Sequence, residues 1–153
     1  MIEIARPQPV IVGVDGSAAS VEALALAATI ARAVGAPLQA ITTWTYPVML
    51  DPLDPGSDWS SEEEAQRLLD DAVREAFQGH PPDGFRASTL PGPAARVLLE
   101  QSDRATMLVV GSRGCGGFRR LLLGSVSAAC AAHAHCPVLV VHAPVLDERL
   151  RTS

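Results

Sequence analysis

The sequence predicts a single α/β domain built on an open sheet of five parallel strands, with helices on both faces. Three observations carry that expectation. Short apolar, β-branched runs alternate with Ala- and Leu-rich segments of helical length, the pattern of strands covered on both sides by crossover helices. Of the 153 residues, 48% are hydrophobic, enough for one core and too few for two ordinary domains. No repeat or linker divides the chain, so residues 1–153 are expected to form one domain, its core over 8–143 and a polar tail over 147–153.

The first strand is Val10-Ile11-Val12-Gly13-Val14, too short for a helix and rich in β-branched residues. Asp15-Gly16-Ser17 punctuates it, and a helix runs from Ala18 to Val34. Gly35 stands as its left-handed closing residue and Pro37 prevents continuation. A strand over Leu38 to Thr43 or Trp44 comes next. Pro47 to Asp58, with three prolines, a glycine and three aspartates, is expected as a mobile surface loop. Ser61-Glu62-Glu63-Glu64 is a capping box that opens a helix to Phe77 or Gln78.

Phe85 to Leu90 makes a weaker strand, and Pro93 or Ala94 to Gln101 or Ser102 a short helix. Met107-Leu108-Val109-Val110 is a buried strand ending at Gly111, followed by a glycine-rich loop and a helix from Ser125 to about His135. Val138 to His142 is the last strand. The right-handed crossover rule makes 3-2-1-4-5 the natural strand order, with 2-1-3-4-5 the related alternative.

Composition removes several function classes. The formal charge of −5 opposes a surface built to neutralise nucleic-acid phosphates. All 12 cations of the Lys+Arg count are arginines, which excludes Schiff-base chemistry and the lysine of a Walker phosphate loop. Three cysteines and no secretory h-region lead to the expectation of a cytoplasmic protein with free thiols. Leu121 to Leu146 carries no charge, yet its glycine, serines, histidines and prolines fit a helix followed by a strand. No membrane partner is expected.

In an open α/β sheet, ligands sit beyond the carboxyl ends of the strands, where strand order reverses. With order 3-2-1-4-5 that place lies between strands 1 and 4, at Asp15 and Gly111. The loop after strand 4 reads Gly111-Ser112-Arg113-Gly114-Cys115-Gly116-Gly117-Phe118-Arg119-Arg120 and continues to Gly124-Ser125. Glycines permit close backbone approach, and the free amides of the following helix favour a phosphate. A glycine turn with an N-capping serine would show the same residues.

The spacing Gly111-x2-Gly114-x9-Gly124-Ser125 resembles the ATP-binding pattern of the universal stress protein family. Val12-Gly13-Val14-Asp15-Gly16-Ser17 and Cys136-Pro137-Val138-Leu139-Val140-Val141 agree with the flanks of that family, and the resemblance runs from about Val10 to His142. It implies a Rossmann-like fold of the adenine nucleotide alpha hydrolase type, holding ATP, with or without Mg2+. By similarity Asp15 and Thr43 would contact adenine and ribose, with Gly13 beside them. Gly111 and Gly114 would line the ribose and phosphates, Ser125 and Val126 would hold the phosphate tail, and Gly124 completes the motif. Thr43 stands where the family commonly has valine, and Gly13 where some members have proline.

Arg113, Arg119 and Arg120 are candidates to offset phosphate charge, though loop arginines are more often simply solvated. Asp15 is the one acidic residue placed near the site, and the resemblance gives it to the base or ribose. No catalytic residue is therefore expected, and turnover should be slow or absent. Cys130, His133, His135 and Cys136 match no common zinc spacing, so no metal site is expected and packing explains the cysteines. Cys115, in a glycine loop beside arginines, is a candidate reactive thiol. Trp44, Tyr46 and Trp59 suit a lid or ordinary packing equally.

Val138 to His142 would be an apolar sheet edge, which tends to aggregate unless paired. A homodimer through that edge is expected, as the family likeness also implies. The function that follows is a nucleotide-dependent stress-response regulatory or interaction module with an unidentified protein partner. The alternatives are a slow ATPase or self-phosphorylating enzyme, and a dimeric scaffold with no functional nucleotide site.

Overall fold

The computed structural model of the protein describes residues 7–45, 61–113 and 123–143. In chain order they form β1 (Val10–Gly13), α1 (Ala18–Val34), β2 (Leu38–Trp44), α2 (Glu62–Phe77), β3 (Arg86–Pro91), α3 (Ala94–Ser102), β4 (Met107–Gly111), α4 (Ser125–His133) and β5 (Val138–Val141). The five strands lie in the order β3-β2-β1-β4-β5, and every neighbouring pair is parallel. This is the order the crossover rule favours, and it excludes 2-1-3-4-5. Among the described residues no helix is long and apolar enough to cross a membrane.

Alternation along the strands divides the core into two. Val10 and Val12 of β1 turn to one face, where they meet Ala23, Leu24 and Ala27 of α1 and Leu69 and Ala72 of α2. Ile11 turns to the other, with Val97 and Leu98 of α3 and Cys130 of α4. All of these side chains are buried, as the period-2 pattern of a strand covered on both faces requires.

The capping residues act as their types suggest. Ser17 Oγ accepts the Ser20 N–H at 3.2 Å and Ser61 Oγ accepts that of Glu64 at 3.1 Å, caps worth about 1 kcal/mol each. Gly35 takes φ 70° beyond α1, and Ala36 N–H then closes on the Ala31 carbonyl at 2.9 Å, the usual left-handed helix ending. At the end of α2 the left-handed turn begins one residue before the glycine, with Gln78 at φ 50° and Gly79 at φ 84°.

Four boundaries differ from expectation, the first being β1, which ends at Gly13 rather than Val14. The last helix stops at His133, two residues short of His135. Ala134 is already extended, and His135 N–H donates to Ser102 Oγ of α3 at 3.2 Å. A tertiary bond thus ends the Ala-rich segment before Pro137, the local stop signal, is reached. β5 ends at Val141 rather than His142, and β3 is shifted by one residue to Arg86–Pro91. The expected Pro47–Asp58 loop, Tyr46, Trp59, Gly114, Cys115, Arg119 and Arg120 lie outside the described residues.

Candidate functional site

The sheet order puts β1 between β2 and β4, so the carboxyl ends of these three strands share one edge. Gly13 pairs with Ile41, two residues before Thr43, and Val12 pairs with Val109, two residues before Gly111. Asp15 is exposed just beyond β1, Arg113 is exposed beyond β4, and Ser125 is exposed at the start of α4. Gly13, Thr43, Gly111, Gly124 and Val126 are half-buried.

Local bonds hold the three strand exits. Asp15 Oδ1 accepts the Ser17 N–H at 2.9 Å, and Gly16 at φ 85° lets the chain turn directly into α1, where a side chain would be strained. Val14 N–H donates to the Ile41 carbonyl at 2.9 Å. Thr42 is buried and its Oγ1–H returns a bond to the Val14 carbonyl at 2.8 Å. The β1 and β2 exits are thereby clasped from both sides.

At the β4 exit, Ser112 N–H donates to the Val141 carbonyl at 2.7 Å, and Gly124 N–H donates to the Ser112 carbonyl at 2.6 Å. Ser127 Oγ–H also points at that carbonyl, at 2.8 Å. The residues on either side of the glycine segment are thus brought together. Gly124 is the N-cap of α4 in an extended conformation, and among the described residues no side chain caps this helix. Its first amides keep the partial positive charge that suits an anion.

The two strand-end glycines answer to packing. A Cβ on Gly111 would lie 2.9 Å from Ala19 Cβ and 3.0 Å from the backbone of Ala19 and Ser20, so the missing side chain lets α1 seat its first turn against β4. A Cβ on Gly13 would meet the tip of Leu98 at 2.7 Å. Thr42, Ser112 and Ser127 were not singled out by sequence reasoning as site residues. The available signal was polarity inside or beside apolar runs, and their partners are carbonyls that no local pattern identifies.

The family model described as the universal stress protein family matches residues 7–142. The chain belongs to the universal stress protein family. Universal stress protein Rv2623 of Mycobacterium tuberculosis is 33% identical over 143 residues, which cover 87% of this chain and 47% of that protein. A universal stress protein of Mycolicibacterium smegmatis is 37% identical over 134 residues, covering 87% of this chain and 45% of its own length. The chain thus spans about half the length of these curated relatives. A solved universal stress protein in complex with cAMP superposes with a TM-score of 0.66 at 30% identity, covering 92% of this chain and 100% of its own.

Two further features of this universal stress protein fold have a chemical reading, one beside the site and one away from it. A cleft of about 370 Å3 between α1 and α2 is floored by Leu68 and Ala72 and rimmed by Asp15, Asp71 and Glu75; its acidic rim would repel a phosphate. Beneath α4, Cys130 is buried and Cys136 packs against the same cluster. Burial, and secondarily the neighbouring Cys136, pushes the Cys130 thiol up, and burial does the same for Cys136. Both therefore behave as neutral hydrophobes. Among the described residues no group of three or more His, Cys, Asp or Glu side chains is placed to hold a metal ion.

Proposed function

We propose that the protein binds an adenine nucleotide at the shared edge of β1, β2 and β4 and works as a nucleotide-dependent stress-response regulatory or interaction module. The observation that carries this is the uncapped start of α4, Gly124-Ser125-Val126, held beside the β4 exit by the Gly124–Ser112 bond of 2.6 Å. Amides that meet no side-chain acceptor among the described residues suit a phosphate at a helix N-terminus, and Gly124, Ser125 and Val126 carry no charge there. The likeness to a universal stress protein that holds cAMP supports the adenine assignment.

In this proposal Ser125 and Val126 hold the phosphate tail through their amides and the exposed Ser125 hydroxyl. Gly111 and Gly114 line the ribose and phosphates, Arg113 offsets phosphate charge, and Gly124 completes the turn into α4. Gly13, Asp15 and Thr43 face the base and ribose. ATP is the proposed ligand; Mg2+, when present, would offset charge on its phosphates. Asp15 already organises the turn into α1 through its bond to Ser17, which favours a binding role over that of a base. Turnover is accordingly slow or absent.

The same proposal includes a cytoplasmic location and a homodimer paired through the edge strand β5. Thermal-shift titration with ATP·Mg, AMP, cAMP and GTP tests the nucleotide site. At about 100-fold above Kd a single site adds ~2.7 kcal/mol of apparent stability, and this gain is expected with adenine nucleotides and not with GTP. Absence of any shift in protein verified to be free of copurified nucleotide would overturn the assignment.

A further inference from the structure

Ser112 and Ser127 are both buried, yet neither belongs to the glycine motif. The Ser112 peptide is tied on one side to β5 by its N–H, 2.7 Å from the Val141 carbonyl. Its carbonyl receives two donors, Gly124 N–H at 2.6 Å and Ser127 Oγ–H at 2.8 Å. Ser127 Oγ also lies 3.1 Å from the Gly124 carbonyl. One hydroxyl therefore spans the strand exit and the helix N-cap.

Ser127 occupies the third position of α4. In a capping box, a side chain at that position reaches back and accepts the N-cap amide. Here the arrangement is reversed. The Gly124 N–H already has the Ser112 carbonyl, and the serine hydroxyl donates to carbonyls. Among the described residues no side-chain acceptor is spent on the first-turn amides, and the turn that bears them is locked to the sheet.

We infer that Ser127 is a positioning residue: by binding the Ser112 carbonyl to the first turn of α4, it holds the helix amides as a preformed phosphate seat. The inference rests on the nucleotide-binding reading above and adds the residue that sets the seat's geometry. A hydrogen bond of merely structural value would lower stability without separating phosphate from nucleoside recognition. A positioning bond separates them, because the base and ribose contacts proposed at β1 and β2 do not depend on α4.

The test is calorimetric titration of ATP and of adenosine into the wild-type protein, Ser127→Ala and Ser127→Thr. Ser127→Ala is expected to lose about tenfold in ATP affinity, equivalent to ~1.4 kcal/mol, with adenosine affinity held within about twofold. Ser127→Thr, which keeps the hydroxyl, should recover most of the loss. Equal losses for both ligands, or none for either, would overturn the inference while leaving the nucleotide site intact. Failure of the wild-type protein to bind ATP or adenosine would overturn the nucleotide reading itself. Should Ser127→Ala not fold, amide exchange of Gly124 in the wild-type protein decides the matter. Protection before nucleotide is added supports a preformed seat, whereas protection that arises only with ATP contradicts it.

Discussion

Gly111 and Ala19 stand opposed across the junction of β4 and α1, so close that a Cβ on Gly111 would come within 2.9 Å of Ala19 Cβ and 3.0 Å of the adjoining backbone. Backbone atoms of a helix's first turn cannot step aside as a side-chain tip can. Gly111→Ala is therefore expected to cost about 1–3 kcal/mol as an overpacking change. Gly13→Ala crowds the flexible end of Leu98 and reaches only ordinary contact with Val110, and it should cost less. Urea unfolding of the two variants checks the order; a larger loss for Gly13→Ala would contradict the packing account.

Thr42→Val keeps the shape of the side chain but removes the hydroxyl that donates to the Val14 carbonyl at 2.8 Å. An acceptor left short of a partner in a buried setting costs about 1–3 kcal/mol. Thr43→Val, at the half-buried neighbouring position, should leave stability almost unchanged. Equal midpoints for the two variants in a denaturant titration would show that the clasp between the β1 and β2 exits contributes little.

The buried thiols predict alkaline sensitivity. The folded-state pKa of Cys130 is raised above its ordinary value of 9.0, mainly by burial, so the unfolded chain loses this proton first as pH rises. The stabilisation is fully present below pH 9 and is lost as pH climbs toward the folded-state pKa. Stability measured from pH 8 to 10.5 should fall, and Cys130→Ala, starting from lower stability, should show a shallower decline. An unchanged slope in the variant would assign the alkaline loss to other groups.

Pairing through β5 has its own test. Leu108 N–H donates to the Pro137 carbonyl and Ser112 N–H to that of Val141. The alternation of a parallel ladder therefore turns the Val140 N–H toward the open edge. Val140→Pro removes that donor without breaking the bonds to β4, as edge positions allow. Light scattering should give a dimer mass for the wild-type protein and a monomer mass for the variant. A dimer that survives the substitution would locate its interface elsewhere.

Much of the architecture was legible because it is written in local patterns. Both bounds of α1 follow from Ser17 and Gly35, and the strand order follows from handedness once the elements alternate. The end of α4 was not legible, since His135 is held by Ser102 from another helix. For the candidate site, the glycine motif, Asp15 and the start of α4 stand out by spacing. Thr42, Ser112 and Ser127 do not, because a serine or threonine that secures a strand exit has the same sequence appearance as one facing water. Gly13 and Gly111 were visible as residues, while their packing against Leu98 and Ala19 emerged only in three dimensions.

The pairing of Val12 with Val109 joins segments about a hundred residues apart, and closure over such a span costs entropy before any contact rewards it. Residues 13–15, 42–43, 111–113 and 124–127 meet only after β4 has entered the sheet beside β1. No fragment ending before β4 can assemble the edge, however well its own helices form. During synthesis and refolding, ligand capture would therefore be an all-or-none report that the last third of the chain has docked. A ligand that binds there would stabilise the assembled edge and slow its opening, prolonging the life of the finished sheet.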